Sequence, residues 1–149
     1  MKIELVALSE DNAEQCFRLT VAHDQTQYIA SNRDSWNTAK KNGAVARPFA
    51  LCCGGRPVGF AMFAFDEDYP DPSDRYWLWR FMIDASLQGQ GYGTAALREI
   101  IRYFKANGAD HIRLSTKPDN AGALSVYHKA GFRDTGEKNG EEIVLQLDL

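Results

Sequence analysis

Three glycines at alternate positions, Gly89, Gly91 and Gly93, separate a predicted strand from a predicted amphipathic helix in the segment MIDASLQGQGYGTAAL. Because glycine has no Cβ, successive backbone N–H groups in this loop can turn toward one point. The N-terminus of the following helix adds its positive dipole end at the same point. The strand, loop and helix together predict an α/β (α+β) fold with a diphosphate-binding site in the loop.

The same glycine pattern is also typical of a tight strand-to-helix turn that binds nothing, and this alternative stays open at the level of the loop alone. Two other phosphate loops fit less well. A P-loop ends in Gly-Lys-Ser/Thr, which is absent here. A dinucleotide-binding loop has GxGxxG spacing, whereas this loop has GxGxG spacing after Gln88.

The length of 149 residues predicts a single domain over residues 1–149. Hydrophobic periodicity and turn residues predict its elements. The predicted strands cover residues 2–8, 47–53, 57–65, 76–84, 111–115, 132–136 and 143–149. Helices are predicted over 9–21, 34–46, the stretch between the glycines and Asn107, and 120–130.

Charge and cysteine content exclude several classes of protein. Seventeen Lys and Arg residues against twenty Asp and Glu residues give a net charge of −3, which argues against a nucleic-acid or anionic-membrane binder. The apolar runs are too short for a membrane span, and the N-terminus lacks the apolar core of a secretory signal. Three cysteines form no even disulfide framework and three histidines have no metal-binding spacing, so we expect a cytoplasmic protein without a metal.

A second motif lies about thirty residues after the glycines. It has the form N-x-x-A-x-x-x-Y-x-x-x-G-F and comprises Asn120, Ala123, Tyr127, Gly131 and Phe132. Together with Gln88-x-x-Gly91-x-Gly93, this motif resembles the GNAT superfamily of acetyl-CoA-dependent N-acetyltransferases over essentially the whole chain. The resemblance implies a central mixed, mostly antiparallel sheet of about seven strands with four helices, splayed between strands 4 and 5.

The resemblance also implies how acetyl-CoA would bind. The loop residues Gln88, Gly89, Gln90, Gly91, Tyr92, Gly93 and Thr94 would hold the diphosphate of the coenzyme. The main chain of Phe81, Met82 and Ile83 would pair with the pantetheine arm, while Asn120, Ala123 and Tyr127 would contact the arm and the sulfur.

Tyr127 is the candidate general acid. It lies seven residues after Asn120, so the two side chains project from one helix face about 10 Å apart. A phenol with a pKa near 10 can protonate a leaving thiolate whose conjugate thiol has a pKa of about 8.5 in a mildly uphill step. The alternative role is a tyrosine that only packs on an apolar helix face.

The acceptor side is less defined. QTQYIASNRDS and YWLWRFMID resemble the bacterial diamine, spermine or spermidine acetyltransferases, and the five acids of residues 66–74 would attract a polycation or form a solvated loop. The candidate substrate-binding residues are Gln25, Tyr28, Asn32, Asp66, Glu67 and Trp79.

These features predict transfer of an acetyl group from acetyl-CoA to a primary amine of a small molecule, such as a polyamine, by direct attack in a ternary complex. Two alternatives remain at this point. One is acetylation of a protein N-terminus, an amino acid or an aminoglycoside, and the other is a non-catalytic acyl-CoA-binding regulatory module. Proteins of this kind can pair through the last strand, so a homodimer is a further expectation.

Overall fold

A computed structural model describes residues 1–20 and 31–149 of the chain. This part contains seven strands and four α-helices. The strands are β1 (Glu4–Ala7), β2 (Ala46–Cys53), β3 (Arg56–Phe65), β4 (Tyr76–Ile83), β5 (His111–Thr116), β6 (Arg133–Asn139) and β7 (Glu142–Asp148). The helices are α1 (Ala13–Phe17), α2 (Asn32–Lys41), α3 (Tyr92–Ala106) and α4 (Ala121–Lys129).

The seven strands form one sheet in the order β1-β2-β3-β4-β5-β7-β6. Every neighbouring pair is antiparallel except β4 and β5, which are parallel. The predicted α/β (α+β) architecture, a mixed and mostly antiparallel seven-stranded sheet with four helices, is therefore confirmed. The predicted hairpin between residues 47–53 and 57–65 is also present, as β2 and β3.

Two apolar clusters lie on opposite faces of this sheet. On one face, the apolar stripe of α3 and the ring of Tyr127 in α4 pack with Phe63, Leu114 and Leu145. On the other face, Cys16 of α1 and Ala39 of α2 pack with Phe60, Met62 and Met82. Because both faces of β3 are covered, its sequence is a continuous apolar run rather than an alternating one.

The first two helices are shorter than their predicted ranges. Ser31 caps α2 because its hydroxyl accepts a hydrogen bond from the Asp34 amide, so this helix begins at Asn32 rather than at residue 34. It ends at Lys41, and Ala46 belongs to β2, where it pairs with Ala64. Helix α1 covers only five residues, and the part of its predicted range at residue 21 lies outside the described residues.

The sheet order corrects the expected dimer contact. The last strand, β7, is hydrogen-bonded to β5 on one side and to β6 on the other. Its backbone groups are therefore already paired, and a second copy could not add to it. The two edges of the sheet are β1 and β6.

Candidate active site

A cleft opens where β4 and β5 diverge. Their parallel pairing is confined to Trp77 and Arg113, near the start of each strand. One residue further along β4 the register with β3 shifts, because Phe63 pairs with Leu78 and Met62 pairs with Arg80, which leaves Trp79 as a bulge. Beyond this point the two strands separate, as the predicted splay between strands 4 and 5 requires, and they line a cavity of about 1130 Å³.

The glycine loop closes one end of this cavity. Gly89 has φ 76° and Gly91, the N-cap of α3, has φ 90°, a left-handed conformation that other residues rarely adopt. The Gln88 side chain donates to the Ile83 carbonyl at 3.0 Å and so ties the loop to the end of β4. Within the described chain, no amide from Gly89 to Thr94 donates to another protein group. Six unpaired donors therefore lie at the helix N-terminus and in the loop before it, and four of them, those of Gly89, Gly91, Gly93 and Thr94, belong to residues that line the cavity.

Helix α4 lines the cavity on the side of the sheet where α3 also packs. Its N-cap is Asn120, whose Oδ1 accepts a hydrogen bond from the Ala123 amide at 3.4 Å. Two turns later, the Tyr127 ring packs against Phe132 and Phe81, with ring centroids 5.7 Å and 6.4 Å away. Asn120, Ala123 and Tyr127 all line the cavity, as the second motif requires.

Tyr127 is 9% exposed, and this burial raises the pKa of its phenol well above the ordinary value. The phenol therefore keeps its proton throughout the neutral pH range. Its hydroxyl makes no hydrogen bond with residues 1–20 or 31–149. A buried, protonated donor on the cavity wall can give its proton to a ligand atom placed next to it.

The cavity brings together most of the residues predicted from the two motifs. Twelve of the predicted site residues line it: Trp79, Phe81, Met82, Ile83, Gln88, Gly89, Gly91, Gly93, Thr94, Asn120, Ala123 and Tyr127. Gln90 and Tyr92 lie in the same loop but do not line the cavity. The Gln90 side chain donates to the Ser86 carbonyl at 3.3 Å, and Tyr92 packs against the apolar core.

Three predicted substrate-binding residues lie away from the cavity wall. Asn32 is 5% exposed, and its Nδ2 donates to the Cys16 carbonyl at 2.7 Å, so its amide joins α2 to α1 instead of facing a substrate. Asp66 and Glu67 lie on the loop after β3, where the Asp66 amide is bonded to the Arg75 carbonyl. Gln25 and Tyr28 lie outside the described residues.

Sequence motifs missed several polar groups on the same wall. These groups are Thr38, Arg80, Ser115, Lys117, Asn139 and Glu142. Each is isolated in the sequence, and only the pairing of β5 with β7 brings Ser115 next to Glu142, where the serine hydroxyl donates to Oε1 at 2.7 Å. For Ser115 and Glu142, the available signal was a polar side chain within β5 and β7, since polar residues in partly buried strands usually have a hydrogen-bonding role.

Across residues 1–20 and 31–149, no group of three His, Cys, Asp or Glu side chains is placed to hold a metal ion. No described helix combines the length and the apolar character needed to cross a membrane.

The chain is similar to known acetyltransferases in both sequence and structure. It is 32% identical to the spermine/spermidine N(1)-acetyltransferase of Bacillus subtilis (strain 168), over 98% of this chain and 99% of that protein. Identity to the N-alpha-acetyltransferase RimI of Mycobacterium tuberculosis is 26%, over 90% of this chain and 80% of that protein.

Solved structures share the fold at low sequence identity. An acetyltransferase from Thermus thermophilus superposes with a TM-score of 0.79 at 20% identity, covering 100% of this chain and 98% of that one. The PaiA N-acetyltransferase from Thermoplasma acidophilum, in complex with coenzyme A, superposes with a TM-score of 0.72 at 15% identity and covers both chains fully. The model of the acetyltransferase (GNAT) family matches residues 7–132. This match agrees with the splayed strands, the unpaired loop amides and the phenol in the cleft. The chain therefore belongs to the GNAT acetyltransferase family.

Proposed function

We propose that this protein transfers the acetyl group of acetyl-CoA to a primary amine of a polyamine, by direct attack of the amine in a ternary complex. The observation that carries the proposal is the cleft itself, in which unpaired amides lie at one end and a protonated phenol lies on the wall. The 32% identity to a spermine/spermidine N(1)-acetyltransferase over nearly the full length of both chains supports the acceptor class.

The described residues fit the coenzyme. The amides of Gly89 to Thr94 supply donors for its diphosphate, and the glycine conformations hold them at the start of α3. The edge of β4 from Phe81 to Ile83 is unpaired on the β5 side, so its main chain can pair with the amide groups of the pantetheine arm. Asn120 would hydrogen-bond the same arm from α4.

Tyr127 would protonate the leaving sulfur. As the amine nitrogen bonds to the thioester carbon, the C–S bond breaks and the thiolate takes the phenol proton. Burial raises the pKa of Tyr127, so the phenol enters the reaction protonated but is a weak acid, and proton transfer must accompany C–S cleavage rather than precede it.

The cysteines support direct attack over a covalent acyl-enzyme. None of Cys16, Cys52 and Cys53 lines the cavity. Burial raises the pKa of Cys16 to about 12 and also raises that of Cys52, so neither thiol forms a thiolate readily near neutral pH. All three cysteines are free.

The acceptor would bind on the sheet face opposite Tyr127. Trp77 and Trp79 line this side of the cavity, and aromatic faces attract alkylammonium groups. Glu142 adds a carboxylate to the same wall. These groups would hold one ammonium group of a polyamine, while the acidic loop of residues 66–74 would attract the polycation from solution.

One observation favours a second acceptor class. Arg80 also lines the cavity, and its Nε is buried without a partner among the described residues. A guanidinium in this position would pair with the carboxylate of an amino acid, as Arg pairs with carboxylates elsewhere. An amino-acid acceptor is therefore the second candidate.

A panel of amines tests the acceptor class. We expect acetyl-CoA-dependent release of free thiol with spermidine, spermine and putrescine, and a kcat/KM at least about tenfold lower with amino acids, an aminoglycoside and a peptide N-terminus, because these lack a second ammonium group on a flexible chain. Faster turnover of an amino acid would select the second candidate instead. Binding of acetyl-CoA without thiol release from any amine would leave a non-catalytic acyl-CoA-binding module.

A further inference from the structure

The sequence assigned no group to remove the proton from the attacking amine, yet the cleft holds one carboxylate. Of the Asp and Glu residues in the described chain, only Glu142 lines the cavity. It lies at the start of β7, half-buried, and its Oε1 accepts the hydrogen bond from the Ser115 hydroxyl at 2.7 Å. The serine fixes the carboxylate orientation, and no other group of residues 1–20 or 31–149 donates to this carboxylate, so its other lone pairs can accept a proton.

Strand register places this carboxylate beside the acceptor site. Trp77 of β4 pairs with Arg113 of β5, so two residues further on Ser115 lies across the splay from Trp79. Along β5, Arg113 and Ser115 lie on one face of the sheet and Leu114 lies on the other. Leu114 packs in the apolar cluster that contains Tyr127. Ser115 and Glu142 therefore project from the opposite face of the sheet.

The Tyr127 phenol and the Glu142 carboxylate thus lie on opposite faces of the sheet, one on each side of the gap between β4 and β5. A thioester that lies in this gap meets the phenol on the face of α3 and α4 and the carboxylate on the other face. This separation matters because an acid and a base in direct contact would exchange a proton with each other instead of with the substrate.

We propose that Glu142, positioned by Ser115, is the general base that deprotonates the acceptor ammonium; this inference rests on the proposed function. The carboxylate takes one N–H proton, and the neutral amine then attacks the thioester carbon. The nitrogen loses a second proton as the C–S bond breaks. Sulfur takes the phenol proton of Tyr127, and the second proton from the nitrogen restores the phenol. The proton on Glu142 returns to solvent. For each ammonium group and thioester consumed, the products are one amide, one thiol and one proton released to solvent.

Charged side chains reach this side of the sheet from β4, β5 and the hairpin of β6 and β7. On the face of β5 that carries Ser115, Arg113 pairs with Glu137 of β6 at 2.8 Å and with Asp74 at 3.6 Å. Arg80 of β4 and Lys117, which follows β5, share the cavity wall with it, and no titratable residue of α2 lines the wall. On its own hairpin, Lys138 and Glu141 are exposed. All of these side chains are unchanged in a Glu142→Gln variant. A difference in pH profile between that variant and the wild-type protein therefore reports the Glu142 carboxylate.

The test compares Glu142→Gln with Glu141→Gln, which removes the same charge one residue away and outside the cavity. With spermidine at neutral pH, we expect kcat of Glu142→Gln to fall at least about 100-fold, because general base catalysis contributes roughly 10²- to 10⁴-fold. The deficit should shrink as the pH rises toward the amine pKa of about 10, where the acceptor arrives neutral. The KM for acetyl-CoA, the Tm and all properties of Glu141→Gln should match the wild-type values.

Wild-type kcat and pH profile in Glu142→Gln would overturn the proposal and leave the acetyltransferase function intact. An equal loss in Glu141→Gln would also overturn it, because the effect would then be one of net charge. If Glu142→Gln does not fold, Glu142→Asp retains a carboxylate and should keep the wild-type shape of the pH profile at reduced kcat. A different profile shape in that variant would contradict the proposal. A wild-type protein that acetylates no amine would overturn the proposed function and this inference together.

Discussion

Replacing Tyr127 by Phe should lower kcat for acetyl transfer by roughly 100- to 10,000-fold, the range in which general acid catalysis by a single side chain falls. The substitution removes one oxygen and keeps the aromatic ring that packs on Phe81 and Phe132. Since the hydroxyl makes no hydrogen bond with the described part of the chain, the fold should lose little free energy of unfolding. The KM for acetyl-CoA should change far less than kcat, because the phenol acts on the sulfur only as the C–S bond breaks.

Steady-state kinetics at saturating spermidine measure this effect, and Tyr103→Phe is the matched control. Tyr103 lies on α3 outside the cavity, and its hydroxyl accepts a hydrogen bond from Arg47 at 3.1 Å. That variant should retain wild-type kcat. Normal turnover of Tyr127→Phe would leave Tyr127 with the packing role that its sequence context also allows.

Replacing Gly59 by Ala should cost about 1 to 3 kcal/mol of the free energy of unfolding, the usual cost of overpacking a core, and should lower Tm by roughly 2 to 4 °C per kcal/mol. Gly59 lies in β3 opposite Ile83 of β4. A Cβ there would be 2.3 Å from the Met82 carbonyl oxygen and 2.9 Å from Ile83 Cδ1. The closer contact is with backbone, so the two strands must move apart.

This prediction also concerns the site, because Met82 and Ile83 line the cavity and precede the glycine loop. The KM for acetyl-CoA should therefore rise in the Gly59→Ala variant. Gly43→Ala is the control, since its nearest contact, the Lys40 carbonyl, would be 4.0 Å away and its φ is not left-handed. Thermal unfolding of the two variants measures the difference, and equal Tm values would show that β3 and β4 accommodate the methyl group without separation.

The coenzyme side of the site could be predicted from the sequence because its determinants are local. The proposed diphosphate site would depend on backbone amides in one loop and on left-handed glycines within it, and both are encoded in the residues from Gln88 to Thr94. The spacing from Asn120 to Tyr127 likewise fixes one helix face. The order of strands and helices followed from hydrophobic periodicity, which most of the elements are long enough to show.

The acceptor side could not be predicted in the same way because it depends on register between distant segments. Ser115 and Glu142 are 27 residues apart and meet only through the pairing of β5 with β7. Asn32 likewise has a contact that the sequence did not indicate, since its Nδ2 donates to the Cys16 carbonyl 16 residues away. The bulge at Trp79 and the close approach of β4 to Gly59 are likewise properties of paired strands. For the close approach, the sequence did carry a signal, which was a glycine inside an apolar strand.

The central claim is that the main-chain amides from Gly89 to Thr94 bind the coenzyme diphosphate and so direct the thioester toward Tyr127. Amide proton and nitrogen NMR shifts during titration with coenzyme A test it most directly. The largest shifts should fall on these six amides, since they have no protein acceptor in the described chain and would gain phosphate oxygens. Saturation with coenzyme A that shifts other regions of the protein and leaves these amides unchanged would contradict the account.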